Sequence, residues 1–352
     1  MKAWEKNIRS VIPYVPGEQP QQSEIIKLNT NENPYPPAPG VVEALRSMDV
    51  DLLRRYPDPS AHDLVKTIAE YHGLQTDQVF VGVGSDDVLA MAFLTCFNSG
   101  KPILFPDITY SFYDVWANLF RIPYDKQPLD EDFLIRSKDY QKENGGIIFP
   151  NPNAPTGIAK PLDEIEEIVS QNQNVIVIID EAYIDFGGES ALPLLAKYDH
   201  LLIARTFSKS RSLAGMRIGY LLGNPELIGY IHNCKYSFNS YTMNQTAIAL
   251  GIEAIRDDAY FLACTQKITE TREWTKEQFR SLGFEFLDSK ANFLFVTHPN
   301  HSAEDIFLAL KKEGIFVRHF KNPKRIRNYL RISIGTRDEM EALFVFFKHF
   351  MS

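Results

Sequence analysis

The sequence has little of what an exported or metal-binding protein would need. Its three cysteines, Cys96, Cys234 and Cys264, form no CxxC motif and lack the spacing of a zinc site. Free cysteines of this kind are usually small buried residues, so the sequence predicts no metal site and favours a reducing compartment. The first residues, MKAWEKNIRSVIPYVPG, carry scattered charges and no apolar stretch of a signal peptide, which predicts a cytoplasmic protein.

Long hydrophobic runs and an excess of positive charge are also lacking. No stretch of about 18 apolar residues occurs, so no membrane-spanning helix is predicted. The net charge of −8 argues against a general nucleic-acid or membrane-binding surface, but it does not exclude a local basic site for an anionic ligand. A chain of 352 residues, 44% of them hydrophobic, is long enough for about two domains with a large core.

Composition and hydrophobic pattern divide the chain into three segments. Residues 1–40 are rich in Pro, Gln and Asn and lack periodicity, which predicts an extended arm. Residues 41–240 alternate short apolar strands with helices, which predicts an α/β domain whose mainly parallel sheet is covered on both faces. Residues 241–352 begin with a long helical stretch and continue with mixed strands and helices, which predicts a smaller α+β domain.

Polar residues follow two of the predicted strands, at the strand ends where ligands of α/β proteins commonly bind. Asp180 ends the run NVIVIID and precedes Tyr183 by three positions, while Lys209 lies in RTFSKSRSLAGMR between Thr206 and Arg217. A lone lysine or aspartate is more often a surface or turn residue. Hydroxyl groups together with an arginine suit a phosphate, however, and nearby cationic charge makes a lysine easier to deprotonate.

Two turns extend this pattern. GVGSDD (82–87) joins a strand to a helix and would offer backbone N–H groups to a phosphate. It matches neither the GxGxxG nor the GxxxxGK[ST] pattern, so the sequence supports neither a dinucleotide-binding fold nor a P-loop. NPNAPTG (151–157) follows the strand GGIIFP and is a loop made rigid by two prolines and a glycine.

The order and spacing of these motifs resemble the fold-type I pyridoxal-phosphate aminotransferases of the aspartate-aminotransferase superfamily. Within it, the chain is most similar to the histidinol-phosphate aminotransferases, through PYVPG, LNTNENPYPP, RRYPDP, TFSKSRSLAGMRIGY and LRISIGT. The resemblance covers nearly the whole chain. It implies a large domain with a mainly parallel seven-stranded sheet between helices, a smaller α+β C-terminal domain, and an N-terminal arm that covers the active site.

The resemblance also implies a role for each matching residue. Lys209 corresponds to the lysine that holds pyridoxal 5′-phosphate as a Schiff base and moves protons, and Asp180 to the acid that faces the pyridine nitrogen. Tyr183 corresponds to the hydrogen-bond partner of the phenolic oxygen, and Tyr110 to the aromatic residue stacked on the ring. The cofactor phosphate would be bound by Ser85, Asp86, Thr206 and Arg217, and by Tyr56 from the second subunit of a homodimer with composite sites.

One position in the NPNAPTG loop departs from the family. The asparagine that commonly precedes Pro-Thr-Gly and contacts the phenolic oxygen is Ala154 in this chain, and Asn153 lies one residue earlier. Asn153 is therefore the residue that we expect to replace the contact, if any does. Asp87 is a milder departure, because glutamate is common at its position.

The substrates implied by the resemblance are histidinol phosphate and glutamate or 2-oxoglutarate. Arg318 and Arg331 correspond to the residues that bind their phosphate and carboxylate groups, because a guanidinium suits both anions. Tyr14 and Asn33, from the arm, are expected to close over the ligand. Three alternatives stay open: an aromatic amino-acid aminotransferase, a decarboxylase similar to threonine-phosphate decarboxylase, and a non-catalytic binding protein with the same fold.

Overall fold

The structure, a computed structural model, describes residues 2–20 and 25–351. Position 1, positions 21–24 of the predicted arm and position 352 therefore lie outside the described residues. The strands of the described part are β1 (Ile26–Lys27), β2 (Val79–Gly82), β3 (Ile103–Pro106), β4 (Tyr124–Gln127), β5 (Ile147–Pro150), β6 (Val177–Asp180), β7 (Leu201–Thr206), β8 (Gly219–Gly223), β9 (Glu285–Phe286), β10 (Phe293–Thr297), β11 (Ile315–Phe316), β12 (Arg318–His319) and β13 (Leu330–Ser333).

Helices alternate with the strands up to β8 and become longer after it. They are α1 (Pro39–Arg46), α2 (His62–His72), α3 (Ser85–Cys96), α4 (Phe112–Phe120), α5 (Leu162–Ser170), α6 (Pro225–Phe238), α7 (Gln245–Arg256), α8 (Asp258–Ser281), α9 (Ala303–Lys312) and α10 (Arg337–Phe350). Among the described residues, none of these helices is long and apolar enough to cross a membrane.

A seven-stranded sheet with the order β2-β8-β7-β6-β5-β3-β4 forms the centre of the molecule. All of its strands run parallel except β8, which is antiparallel to both neighbours. The predicted mainly parallel seven-stranded sheet is therefore confirmed. The sequence pattern missed β4, because its residues YDKQ are polar and partly exposed at the sheet edge.

Successive residues of the central strands pack on opposite faces of the sheet, as the pleat requires. In β6, Val177 and Ile179 join an apolar cluster with α1, α2 and α7, whereas Ile178 joins a second cluster with α3 and α4. Both faces are thus covered by helices. This explains why the strands are continuous apolar runs rather than alternating ones.

The C-terminal part is built on a four-stranded antiparallel sheet, β12-β13-β10-β9, that packs with α8, α9 and α10 around its own apolar cluster. The arm contributes to it, because β1 pairs in parallel with β11. Helix α7 instead belongs to the cluster of the large sheet. The predicted domain boundaries at residues 40 and 240 stay predictions.

The topology determines where a ligand site forms. Strands β5, β6 and β7 are adjacent and parallel, so their carboxyl ends meet at one edge of the large sheet. Helix α3 begins at the same edge, because β8, which pairs with β7, brings Gly219 against Gly84 and Ser85. A Cβ atom on Gly219 would lie 2.3 Å from the Ser85 backbone nitrogen, so only glycine permits this close approach.

Candidate active site

Two cavities that share lining residues open at this edge of the sheet. The inner cavity, about 110 Å³, is lined by Ser85, Asp86, Tyr110, Pro150, Ala154, Asp180, Ala182, Tyr183, Thr206, Ser208, Lys209 and Arg217. The outer cavity, about 400 Å³, is lined among others by Tyr14, Asn29, Thr30, Phe112, Arg318, Phe320 and Arg331. Lys209 and Tyr183 line both. The structure thus brings together most of the residues that the sequence motifs single out.

Lys209 lies just beyond the end of β7, where the two cavities meet. Its Nζ donates a hydrogen bond to the Thr30 carbonyl oxygen at 2.9 Å and lies 5.9 Å from the centre of the Tyr183 ring. The pKa of Lys209 is lowered to about 8, chiefly by burial. The positive charges of Arg331 and, more weakly, Arg217 contribute to this lowering. A substantial fraction of the amine is therefore neutral, and able to attack a carbonyl carbon, in mildly basic solution.

Asp180 is the last residue of β6 and is buried at the base of the inner cavity. Its carboxylate accepts hydrogen bonds from the Tyr113 hydroxyl at 2.9 Å and from the Ala182 backbone N–H at 3.2 Å. Burial raises the pKa of Asp180 to about 6, although the Tyr113 hydrogen bond opposes this. No ion pair links Asp180 to a cation of the described residues, so a positively charged ligand atom would find a carboxylate in place.

Tyr183 and Tyr110 place two phenol groups at the inner cavity. Tyr183 accepts a hydrogen bond from Asn31 Nδ2 at 3.0 Å, and burial raises its pKa. Tyr110 donates a hydrogen bond to Asp86 Oδ1 at 2.7 Å, and burial raises its pKa as well. Both phenols are therefore protonated at neutral pH, but Tyr110 already donates its proton to Asp86, so Tyr183 is the phenol left to donate to a ligand.

The start of α3 and the segment after β7 form a polar cup at one end of the inner cavity. Arg217 reaches Asp86 Oδ2 at 3.2 Å and Ser208 Oγ at 3.3 Å. Thr206 accepts a hydrogen bond from the Ser208 backbone N–H at 3.1 Å. Gly84 (φ +89°) leaves room for the Arg217 guanidinium, because a Cβ there would lie 2.4 Å from its Nη2. A helix N-terminus, hydroxyl groups and an arginine are together suited to a phosphate.

Two arginines extend the positive charge into the outer cavity. Arg318 and Arg331 are directly opposite each other on the antiparallel pair β12 and β13. Arg331 donates to the Asn29 carbonyl oxygen at 3.1 Å, but its buried Nε has no hydrogen-bond partner among the described residues. Like charges opposite each other in a sheet are destabilising, as is an unpaired buried donor, so an anion bound here would relieve both costs.

Tyr14 lies at the wall of the outer cavity, as the sequence predicts for the arm. Its ring stacks on Phe112 with 4.1 Å between the centroids and lies 6.5 Å from Tyr110. Arg318 reaches back to the arm through long contacts with the carbonyl oxygens of Val15 and Pro16, 3.4 and 3.5 Å away. The arm therefore forms one side of the outer cavity.

Asn153 and Asn33 are not placed as the sequence suggested. Asn153 is buried, and its side chain bonds with Thr109, Thr156 and the Ile108 carbonyl oxygen, whereas Ala154 lines the inner cavity. The expectation that Asn153 takes over the family contact is therefore not supported by this geometry.

Asn33 also uses its side chain away from both cavities. Its Nδ2 donates to the Ser210 carbonyl oxygen and its Oδ1 accepts from the Tyr35 backbone N–H, both at 3.0 Å. These bonds fix the course of the arm beside the Lys209 segment. In this structure the Asn33 side chain anchors the arm, and a direct role in closing over the ligand stays a prediction.

Tyr56 lies outside both cavities of its own chain. Its side chain is 82% exposed, and its ring contacts Tyr241 at a centroid distance of 4.6 Å. A contribution of Tyr56 to the site of a second subunit stays a prediction.

Tyr113, Asn31 and Thr30, whose hydrogen bonds reach Asp180, Tyr183 and Lys209, were not singled out from the sequence. Tyr113 lies three positions after Tyr110, and this spacing on the α4 turn was the only local signal for it. Asn31 and Thr30 lie inside the LNTNENPYPP segment, but nothing in the segment indicates that they reach Tyr183 and Lys209. These contacts arise only when the arm packs against the C-terminal part of the chain, where β1 pairs with β11.

The inner cavity fits pyridoxal 5′-phosphate, the cofactor implied by the resemblance. A buried carboxylate without a cation suits the ring nitrogen, a neutral phenol suits the ring oxygen, and the polar cup suits the phosphate. Lys209, with a pKa of about 8, supplies the amine for covalent attachment.

Comparison with known proteins agrees with this fit. Residues 23–346 match the family described as Aminotransferase class I and II. A histidinol-phosphate aminotransferase of Clostridium botulinum (strain Okra / Type B1) is 52% identical over 340 residues, 97% of this chain and 96% of that protein. One of Lactococcus lactis subsp. lactis (strain IL1403) is 51% identical over 349 residues, 99% of this chain and 97% of that protein.

Solved structures share the fold. The histidinol-phosphate aminotransferase of Clostridium acetobutylicum superposes with a TM-score of 0.86 at 23% identity, covering 93% of this chain and 99% of that one. The enzyme of Sinorhizobium meliloti, solved in complex with pyridoxal-5′-phosphate, gives 0.84 at 24% identity, covering 93% and 91%. At these identities the likeness establishes the fold alone.

Proposed function

The chain belongs to the aminotransferase class I and II family, and on this basis we propose that it transfers the amino group of histidinol phosphate to 2-oxoglutarate. The products would be imidazole-acetol phosphate and glutamate, in a step of L-histidine biosynthesis. Relatives that are 51 to 52% identical over nearly the whole chain support this substrate over the aromatic amino acids.

The observation that carries the proposal is the unpaired positive charge beside Lys209. Arg331 has a buried Nε without a partner, faces Arg318 across the sheet, and lines the same cavity as Lys209. The amine substrate carries a phosphate and no carboxylate, whereas the acceptor carries two carboxylates. A guanidinium binds either kind of anion with paired hydrogen bonds, so one cationic site can accept both substrates in turn.

Three residues of the chain would assist the reaction on the bound cofactor. Bound pyridoxal 5′-phosphate supplies an electron-withdrawing ring that stabilises negative charge on the substrate carbon. Asp180 would hold a proton on the ring nitrogen, and Tyr183 would donate a hydrogen bond to the ring oxygen. Lys209 Nζ would accept the proton from the amine-bearing carbon and return it in a 1,3-shift, for which a pKa of about 8 is close to working pH.

The same proposal includes a cytoplasmic homodimer with composite sites. Exposed apolar side chains support an interface near Tyr56, including Val50, Leu53 and Phe238 at 59 to 74% exposure. Because the Tyr56 side chain points away from its own cavities, it is free to reach the cofactor phosphate in a second subunit.

A substrate panel with 2-oxoglutarate as the acceptor tests the proposal. We expect glutamate to form with histidinol phosphate at a kcat/KM at least about tenfold above that with phenylalanine, since desolvated charge pairs contribute more than ring packing. Turnover of phenylalanine alone would identify an aromatic aminotransferase. Release of carbon dioxide from an amino-acid phosphate would identify a decarboxylase.

Two lysine variants control for the chemistry. Lys209→Ala should abolish glutamate formation, because it removes the amine that binds the cofactor and moves the proton. Lys197→Ala should retain activity, because Lys197 is exposed and pairs with Glu166 at the surface. A wild-type protein that shows no cofactor absorbance and no turnover would indicate a binding protein instead.

A further inference from the structure

Asn31 lies in the LNTNENPYPP segment of the arm and is buried beside the C-terminal sheet and Tyr183. It adopts a left-handed backbone conformation (φ +58°), which asparagine tolerates better than most residues. Its backbone N–H donates to Ser333 Oγ at 2.9 Å, and its carbonyl oxygen accepts from Asn292 Nδ2 at 2.9 Å. The residue is therefore held in place from both sides of its peptide unit.

The hydrogen bonds around Asn31 determine which end of its side-chain amide faces Tyr183. Ser333 Oγ already accepts the Asn31 backbone N–H, and its own proton is directed at Asn31 Oδ1, 3.1 Å away. If the amide were reversed, that buried hydroxyl proton would lose its acceptor, which is costly. Nδ2 therefore points towards Tyr183, and it lies 3.0 Å from the phenol oxygen.

The hydrogen bond that Asn31 donates to Tyr183 determines the direction in which the Tyr183 hydroxyl can donate its own proton. Because the Tyr183 oxygen accepts from Nδ2, its O–H group is left to donate in another direction, and the inner cavity borders the ring. In this chain, Ala154 presents a methyl group where the related enzymes commonly have a second donor to the phenolic oxygen of the cofactor. Tyr183 is thus the donor on which that contact depends.

We propose that Asn31 is a positioning residue that fixes the Tyr183 hydroxyl as a donor to the phenolic oxygen of pyridoxal 5′-phosphate, and so compensates for Ala154. The inference rests on the proposed function, because it requires that this cofactor binds in the inner cavity. Asn31 does not touch the cofactor and acts only through Tyr183.

Besides the neutral amide of Asn31, charged groups also surround Tyr183 and must stay unchanged in any test. They are Arg331 on β13, Lys209 after β7, Asp180 at the end of β6 and Asp86 in α3. Substitutions at Asn31 and Ser333 leave all four in place. A shift in the titration of the bound cofactor would then report the hydrogen bond rather than a lost charge.

The experiment is a pH titration of the visible absorbance of the protein with pyridoxal 5′-phosphate bound, in wild type and Asn31→Gly. Glycine keeps the left-handed conformation and removes only the side chain. A donor to the phenolic oxygen favours its ionised form, so losing it should raise the titration midpoint by roughly half to one pH unit. The midpoint is independent of catalytic turnover.

A double-variant cycle separates the positioning of the Tyr183 hydroxyl from a general loss of packing around the site. In the Tyr183→Phe background, Asn31→Gly should produce no further shift, because the hydroxyl through which it acts is gone. Ser333→Ala, which keeps the Asn31 side chain but removes the group that orients it, should shift the midpoint in the same direction by less. It also provides the test if Asn31→Gly does not fold.

Asn172→Ala is the matched control for loss of a buried asparagine. Asn172 makes three side-chain hydrogen bonds far from the cavities, to Tyr140, Ile168 and Asn144, so its variant should leave the midpoint unchanged. An unchanged midpoint in Asn31→Gly, or an equal shift in the Tyr183→Phe background, would overturn the inference. Absence of cofactor absorbance in the wild type would instead refute the proposed function.

Discussion

Two neighbouring carboxylates at the end of β6 have opposite surroundings. Glu181 is buried but paired, because Arg205 approaches it at 2.8 Å while Ser190 and the Ala191 backbone N–H donate to it. Asp180 receives only two neutral donors. Burial raises the pKa of both groups. The protein therefore neutralises one carboxylate internally and leaves the other for a cation supplied by the ligand.

The lowered pKa of Lys209 leads to a prediction about covalent cofactor binding. Only the neutral amine attacks, so the rate at which the apoprotein binds pyridoxal 5′-phosphate should rise with pH to a midpoint near the pKa of about 8. Stopped-flow absorbance measures the rate, and borohydride trapping with mass spectrometry locates the modified lysine.

Arg331→Gln is the informative variant for this measurement. Removing the positive charge that lowers this pKa most stabilises the ammonium form, so the midpoint should move upward towards the ordinary lysine value of about 10.4. A wild-type midpoint already at that ordinary value would contradict the argument.

At the scale of elements, the apolar runs predicted the central strands because those strands are buried on both faces. They did not predict β4, which is polar at the sheet edge, or β1, which is two residues long. Such strands depend on their partners rather than on their own composition.

The same distinction applies to the site. Lys209 and Asp180 lie in short sequence motifs from which their place in the site could be predicted. The bonds from Asn31 to Tyr183 and from Tyr113 to Asp180 join residues 152 and 67 positions apart, so they follow from tertiary packing. The misplaced expectation for Asn153 has the same origin, because its partners Thr109 and Ile108 lie in a different loop.

The final helix supports the sheet that carries Arg331, and its first turn offers a test. Thr336 and Glu339 form a capping box, in which each side chain accepts a hydrogen bond from the other residue's backbone N–H. Thr336→Ala should lower the free energy of unfolding by about 1 kcal/mol, measured by urea denaturation.

Thr269→Ala in α8 is the control for this helix-capping prediction. Thr269 is partly exposed within a helix, and its hydroxyl donates a hydrogen bond to the Gln266 carbonyl oxygen. Alanine has the higher helix propensity there, so stability should be unchanged or slightly increased. Equal losses in the two variants would show that the capping box contributes nothing specific.

At the scale of the whole molecule, the site is assembled from distant parts of the chain. The arm supplies Thr30 and Tyr14, the large sheet Lys209 and Asp180, and the C-terminal sheet Arg331. Pairing of β1 with β11, a strand outside the four-stranded sheet, joins the arm to the C-terminal part of the chain, so the outer cavity depends on both being folded. A second subunit that contributes Tyr56 would add one further part.

Complementation between two inactive variants tests this composite arrangement. In Lys209→Ala the catalytic amine is lost, and in Tyr56→Ala the proposed phosphate contact is lost. A mixed dimer would contain one site in which the Tyr56→Ala subunit supplies Lys209 and its partner supplies Tyr56. Random mixing should therefore restore about a quarter of the wild-type activity, since half of the dimers are mixed and each has one intact site.

The measurement is made at cofactor concentrations low enough for the Tyr56 contact to limit binding. Each variant alone should be inactive under these conditions, and activity should appear only after the two are unfolded and refolded together. In the control mixture, Tyr230→Ala takes the place of Tyr56→Ala, since Tyr230 is another exposed tyrosine (56% exposed). We expect Tyr230→Ala to retain the cofactor and to be active by itself, without being refolded together with Lys209→Ala. If the refolded mixture is no more active than its separate components, each site is complete within one chain, because only a shared site can be repaired by exchanging subunits.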